Sequence, residues 1–443
     1  MKKVYLETFG CQMNVSDSER ISTQLRSGGY EMTSDESAAD VVLFNTCSVR
    51  EKAEHKLYTR VGEVSQSPGK NKKPLVGVLG CVAQLEGETL FKRAAGIDFV
   101  LGTKAVGRIN QAIEKAASGQ KRFVDLNERE ADYDWSVENS QRHSPFVAFV
   151  PIIEGCNKFC TYCIVPFSRG REKSLPASEI VRHALELRRQ NVREIHLIGQ
   201  NVNSYRPKTE SGLEKFSGAT LFSRLLRAVA ATGVERIKFT TSFPRDFHPD
   251  IVKAINENEN LCNWVHLPVQ SGSNKILQAM RRGHSVDDYQ KRIDIIKSSS
   301  RKISLTTDII IGFPGETDAD FQDTMSLFEF CRYDSAYIFK YSPRPGTPAF
   351  GMEDDVLPEV KTKRFLELEK LQKQFQQNSL QAMLNQKAKV LAEKTSGKTS
   401  THLSGHTTCH KVVNFQADEE NLGKILDIKI TESKTNTLFG EIS

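Results

Sequence analysis

The sequence lacks a second C-x2-C hook. Its one compact group of thiols, Cys156, Cys160 and Cys163, has C-x3-C-x2-C spacing, and no further hook is present to close a tetrahedral zinc site. Export features are also missing. The N-terminus, Met1-Lys2-Lys3-Val4-Tyr5-Leu6-Glu7, is too short and too soon acidic for a signal peptide, and no apolar run approaches the roughly 18 residues of a membrane span. Without export, the nine cysteines are not expected to form disulfides, and an odd count agrees. A reducing, cytoplasmic setting favours thiolate–metal chemistry. Gly77 and Gly80 lack the helix-side glycines of a dinucleotide fingerprint. From Asn378 onward there is no arginine, and eight lysines meet seven acidic residues, so the last segment is nearly neutral.

What is present starts with those three thiols. A cubane iron–sulfur cluster held by three cysteines keeps one iron open, where a small molecule can bind and react. Three cysteines serving only packing would be the plain alternative. With 443 residues, 38% hydrophobic and 26% charged, the chain reads as a soluble globular α/β protein of about three domains. A net charge of +6 permits a nucleic-acid partner without requiring one.

Residues 1–119 repeat one pattern three times: a buried-strand run ends at a cysteine, and helical sequence follows. The cysteines are Cys11, Cys47 and Cys81. Strands alternating with helices imply a parallel sheet of Rossmann or flavodoxin type, whose ligands bind beyond the carboxyl ends of the strands. All three cysteines sit at such ends and could converge to hold a second cluster, again with an open iron. Structural cysteines would instead be expected within the strands. Ser16-Asp17-Ser18-Glu19 has the form of a capping box and predicts a helix start there, and Arg50 to Val64 reads as another helix.

Residues 120–144, with Asp132-Tyr133-Asp134-Trp135, lose periodicity and read as a linker. Residues 145–377 show six strand–helix units, with strands at 146–153, 194–198, 236–240, 264–267, 303–311 and 336–341. They imply a partial (βα)6 barrel of TIM type, whose chemistry belongs at the carboxyl face. The three-cysteine loop follows the first strand onto that face. So do the turns Gly199-Gln200-Asn201-Val202, Gln270-Ser271-Gly272 and Gly312-Phe313-Pro314-Gly315-Glu316-Thr317. Residues 378–443 carry five short strand runs and fit a small OB-like β-barrel, a common binder of single-stranded nucleic acid, or a neutral interaction module. His402, His406, Cys409 and His410 are a weak metal candidate, and Cys262 and Cys331 read as packing residues.

Over its whole length the chain resembles the radical S-adenosylmethionine (SAM) methylthiotransferases. The resemblance is carried by the six cysteines, by Cys11-Gln12-Met13-Asn14-Val15-Ser16-Asp17-Ser18-Glu19, by Phe159 to Phe167 with Arg169-Gly170, and by Tyr341-Ser342-Pro343-Arg344-Pro345-Gly346-Thr347-Pro348-Ala349. These segments look like the branch that methylthiolates a prenylated adenosine in tRNA. Branches acting on threonylcarbamoyl-adenosine or on a ribosomal protein are the near alternatives. A non-catalytic iron–sulfur RNA-binding or redox-sensing protein is the distant one.

The resemblance implies two 4Fe-4S clusters. Cys156, Cys160 and Cys163 would hold the one that binds SAM and generates a radical. Cys11, Cys47 and Cys81 would hold one that carries sulfur. Tyr162, Gln200, Gln270, Gly272 and Gly315 are candidate SAM contacts, with Tyr162 equally readable as a packed aromatic. The implied partners are a tRNA anticodon stem-loop, gripped by the C-terminal TRAM domain, and an electron donor of flavodoxin or ferredoxin type. The chain is expected to act as a monomer. Arg169, Arg171, Arg281 and Arg282 are candidate phosphate contacts, and read equally well as a solvated basic face. One departure stands out: Gly405-His406-Thr407 replaces the family's Gly-Arg-Thr, which would remove a phosphate contact.

Overall fold

In the computed structural model, residues 2–48, 51–66, 73–127, 142–396 and 401–443 are described. Asp132-Tyr133-Asp134-Trp135, Arg50 and residues 399–400, where the sequence predicts the second of the five short strand runs to begin, lie outside them. The chain forms two compact units. The first is 1–143 with 154–157 and 163–172, and the second is 144–153 with 158–162 and 173–443.

The first unit is built on a parallel sheet of β1 (Lys3–Phe9), β2 (Glu31–Met32), β3 (Val41–Thr46), β4 (Leu75–Gly80), β5 (Phe99–Gly102) and β6 (Phe123–Asp125). Its order is β2-β1-β3-β4-β5-β6, the flavodoxin-like winding, which reverses direction between β1 and β3. The run 41–46 is wholly buried because both faces of the sheet are covered. On one face Val4, Leu43, Leu79 and Leu101 pack with Ile21 and Leu25 of α1 (Gln12–Ser27). Ile109 and Ile113 of α5 (Ile109–Ala117) complete that layer. On the other, Phe44, Val76, Val78 and Val100 pack with Leu57 and Val61 of α2 (Glu51–Gln66). Two short helices, α3 (Cys81–Glu86) and α4 (Thr89–Arg93), add Val82 and Leu90 to this side. Strand β6 lies within the stretch read as a linker and extends the sheet through Phe99↔Phe123. Helix α6 (Val165–Arg169) also belongs to this unit.

The expected capping box is not one. Helix α1 begins at Gln12, with Cys11 at its N-cap and no side-chain cap bond. Ser16 and Glu19 therefore lie inside the helix, both buried. Burial pushes the Glu19 carboxyl up to about 7, against a hydrogen bond from the His143 N–H at 2.9 Å.

The second unit carries the six expected parallel strands. After β7 (Val147–Pro151) come the short β8 (Ile153–Glu154) and β9 (Lys173–Ser174), then β10 (Glu194–Ile198), β11 (Arg236–Phe239), β12 (Trp264–His266), β13 (Ser304–Ile311) and β14 (Ser335–Lys340). Their ladders run β7-β10-β11 and β12-β13-β14. An isolated parallel bridge, Ile237↔Leu261, joins the two halves into a partial barrel. Helices α7 (Ala177–Arg189), α8 (Leu221–Ala230), α9 (Pro249–Glu257), α10 (Asn274–Ala279), α11 (Val286–Lys297) and α12 (Asp318–Cys331) alternate with them. The long α13 (Pro358–Gln381) leads to a closed barrel of β15 (Lys387–Thr395), β16 (His402–Thr407), β17 (Val412–Gln416), β18 (Ile425–Ser433) and β19 (Leu438–Ile442), in the order β15-β16-β17-β19-β18.

The small barrel meets the amino ends of the larger barrel's strands. Arg236, at the start of β11, donates to the carbonyls of His406 (2.7 Å) and Thr407 (2.8 Å). Lys411 pairs with Asp334 at 2.6 Å, and His410 packs edge-on against Trp264. This corrects the reading of position 406 as a phosphate contact. The His406 ring stacks on His410 and its Nδ1 meets Glu393 at 2.7 Å, so the departure from Arg bears on this joint. His402 points elsewhere and is exposed.

Candidate cluster sites

Sheet register brings the dispersed cysteines together. Phe9 pairs with Thr46, and Thr46 with Gly80, so β1, β3 and β4 end at one level. Cys47 and Cys81 follow those paired residues directly, and Cys11 follows two residues after Phe9. Cys11 and Cys47 thus flank the point where the strand order reverses, the place where such sheets bind ligands. Two glycines make room. Gly10, at φ +133°, would place a Cβ 2.3 Å from Cys47 Cβ, and Gly80, at φ +90°, would place one 2.4 Å from Asn45 Oδ1.

The Cys11 thiol lies 3.2 Å from Asn14 Oδ1. A hydrogen bond from Cys47 lowers its pKa to about 6, and the charge of Arg169 assists. Burial raises Cys81, against the same Arg169. Behind the thiols is a buried polar network that the sequence reading missed. Asn45 Nδ2 donates to Asn14 O and to Ser18 Oγ, both at 2.9 Å, and Asn14 Nδ2 reaches Asn45 Oδ1 at 3.3 Å. Arg169 donates to Asp17 Oδ2 (2.6 Å), Glu154 Oε1 (3.3 Å) and Asn14 Oδ1 (3.5 Å). The signals were present: Asn45 is a polar residue inside an apolar strand, and Asn14 and Asp17 recur at helical spacing after Cys11.

The compact triad lies on the loop after β8. Cys156 and Cys160 are buried and Cys163 is half-buried. In the first unit, the Cys156 N–H donates to Gly170 O at 3.1 Å, and Gly155 (φ +75°) allows an approach that puts its Cβ position 2.3 Å from Arg171 O. In the second, Thr161 is fixed by its N–H to Met280 O (3.1 Å) and its hydroxyl to Ala279 O (2.9 Å). Arg282 donates to Cys160 Sγ (3.5 Å), Tyr162 Oη (3.4 Å) and Pro268 O (2.6 Å).

Two candidate phosphate contacts are therefore overturned. Arg169 and Arg282 are both buried, one in a carboxylate network and one under the thiol loop, whereas Arg171 and Arg281 are exposed. The Tyr162 ring packs edge-on to Phe313, in the cluster of Ile276, Met280 and Tyr341. Gln200 follows β10, and its buried Oε1 has no hydrogen-bond partner among the described residues. Gln270 follows β12 in the left-handed region at φ +79°. Gly272 serves packing: a Cβ there would lie 2.4 Å from Thr324 Cα of α12. Gly315, at φ +79°, has open space around its Cβ position.

Among the described residues no three His, Cys, Asp or Glu side chains converge on a single metal ion, and no helix is long and apolar enough to cross a membrane. A cubane asks for something else, since each of its cysteines binds a different iron and the sulfurs stand apart. Two sets of three thiols fit that donor pattern.

Comparison with known proteins agrees with this layout. Residues 3–102 match the uncharacterized protein family UPF0004, 150–328 the radical SAM superfamily and 381–443 the TRAM domain. The tRNA-2-methylthio-N(6)-dimethylallyladenosine synthase of Solibacter usitatus is 43% identical over 99% of this chain and 98% of its own. That of Clostridium tetani is 40% identical over 99% and 95%. In fold, the radical SAM methyltransferase TsrM of Kitasatospora setae superposes with a TM-score of 0.59 at 13% identity, covering 79% of this chain and 77% of that one. This chain belongs to the family of tRNA-2-methylthio-N(6)-dimethylallyladenosine synthases, within the radical SAM methylthiotransferases.

Proposed function

We propose that the chain transfers a methylthio group to the 2-position of the N(6)-dimethylallyl adenosine beside the anticodon of tRNA, using SAM and two 4Fe-4S clusters. One observation carries the reading. Three cysteines spread over 70 residues are brought to adjacent strand ends at a ligand-binding switch point, in a chain matched end to end by tRNA methylthiolating relatives.

Cys156, Cys160 and Cys163 would ligate the SAM-binding cluster, and Cys11, Cys47 and Cys81 the sulfur-carrying one. When bound, these groups supply the one-electron chemistry needed to replace an unactivated ring hydrogen, which no acid or base in the chain could remove. The protein's part is holding and shaping. Arg282 restrains the thiol loop through Cys160 and Tyr162. Gln200 and Gln270 offer contacts for SAM on the carboxyl face, whereas the Gly315 N–H and carbonyl are already bonded to Asp355 and Lys275. On β14, Tyr337 and Phe339 stay exposed, and Tyr337 faces His266 at 6.2 Å. Such rings suit an extruded base, since stacking on an aromatic contributes about 1–3 kcal/mol per base. Exposed Lys387, Lys389 and Lys429 lie on neighbouring strands β15 and β18 and would meet the anticodon-stem phosphates.

We further propose a monomer acting in the cytoplasm and reduced by a flavodoxin- or ferredoxin-type donor. Nucleoside mass spectrometry of tRNA from a deletion strain tests the assignment. The 2-methylthio-N(6)-isopentenyl nucleoside should disappear while its unthiolated precursor accumulates, and its persistence would sink the reading.

A further inference from the structure

Arg169 sits where a radical SAM loop has no evident need for a buried cation. It ends α6, in the same segment that carries Cys156 and Cys163, yet its guanidinium is turned to the network behind the other triad. It is 4% exposed, and its described acceptors are Asp17, Glu154 and Asn14. Asn14 in turn accepts from the Cys11 thiol, so the guanidinium is one residue removed from a candidate ligand. Buried charges act through a low dielectric and are weakly screened.

Resting on the reading that Cys11, Cys47 and Cys81 hold a cluster, we propose that Arg169 is the counter-charge of that site. It raises the cluster's reduction potential and, by bonding Asn14, fixes the group that faces Cys11. Iron–sulfur potentials respond to nearby net charge and to hydrogen bonding around the sulfurs, and such outer groups typically carry 10–100-fold effects. Asp17 and Glu154 orient the guanidinium, and because their two carboxylates outnumber its single charge, Arg169 holds the group of three at a formal −1 rather than −2. Arg169 is therefore a positioning residue that touches neither substrate nor SAM.

An EPR-monitored redox titration of the reconstituted full-length Cys156→Ala/Cys160→Ala/Cys163→Ala protein isolates the site. In that background Arg169→Gln should keep its iron and shift the midpoint to more negative potential, whereas Arg169→Lys should stay near the parent. Asp17→Asn, which keeps the cation and its hydrogen-bond acceptor, should shift the midpoint the opposite way. It decides the matter if Arg169→Gln does not fold. An unchanged midpoint in Arg169→Gln with iron retained, or an unchanged or negative shift in Asp17→Asn, would overturn the assignment. A parent that binds no iron would instead remove the underlying reading of the site, and the counter-charge with it. With all six cysteines present, Arg169→Gln should reduce methylthiolation by about tenfold or more while 5′-deoxyadenosine formation continues. Loss of both together would mark Arg169 as a support of the radical loop alone.

Discussion

The two triads of thiols are made in opposite ways. Cys156, Cys160 and Cys163 lie within eight residues of one another, so the length of chain between them already limits their separation. Cys11, Cys47 and Cys81 stand 36 and 34 residues apart and meet only because β1, β3 and β4 share a register that ends them together. A local site survives changes elsewhere in the fold, whereas a dispersed one is only as sound as the sheet beneath it. The difference also suits the proposed tasks: a compact loop leaves room for a cofactor on one side, and a sheet edge behind a buried polar network gives a second cluster a fixed seat.

The sharpest way to break the comparison is to delete each triad in turn. Cys11→Ala/Cys47→Ala/Cys81→Ala should lose about half the iron and all methylthiolation while still forming 5′-deoxyadenosine from SAM. Cys156→Ala/Cys160→Ala/Cys163→Ala should lose the other half and form no 5′-deoxyadenosine at all. Iron assay and product chromatography read both, and equal loss of SAM cleavage in the two variants would erase the division of labour.

A smaller effect is expected from the glycines that admit each site. Gly10→Ala drives a Cβ into Cys47, and Gly155→Ala drives one into the Arg171 carbonyl, each at 2.3 Å and with positive φ. Strain of this kind costs on the order of 1–3 kcal/mol. Gly10→Ala should weaken iron retention at the sheet site only, and Gly155→Ala should slow SAM cleavage only. Cross-effects of equal size would mean that the sites do not depend on separate scaffolds.

The smallest expected effect concerns pH. The folded-state pKa of Glu19, raised by burial to about 7, lies above an unfolded value of roughly 4.3. Its contribution to stability is fully present below the unfolded pKa and is lost as pH rises through about 7. Glu19→Gln should therefore raise stability at pH 8 by about 1–2 kcal/mol and leave it nearly unchanged at pH 4. Denaturant unfolding of the two proteins at both pH values checks this. A uniform difference would show that Glu19 stays neutral or is solvated across the range.

Much of this was legible in the chain itself. All six strands of the larger barrel and all five of the smaller one fall where alternation and turn residues put them, because each is a short run whose face pattern is set locally. The misreadings share a cause. Ser16 and Glu19 look like a capping box, but the chain turns into α1 straight after Cys11, and both residues face the protein interior instead. Arg169 and Arg282 look like surface cations, and Gly272 looks like an opening for a ligand, until packing partners far along the chain are known. His406 reads as a weakened RNA contact until β16 is seen against the start of β11.

By itself, the sequence determined which residue types are available and where each strand stops: two sets of three thiols, each placed just past a strand, in the order of three domains. Those are properties of spacing and local preference. Only the tertiary structure decided that Cys11, Cys47 and Cys81 share one sheet edge and that Arg169 lies buried behind them. The register of a parallel sheet and the burial of a charge depend on residues tens to more than a hundred positions away, and no local pattern records which of them will become neighbours.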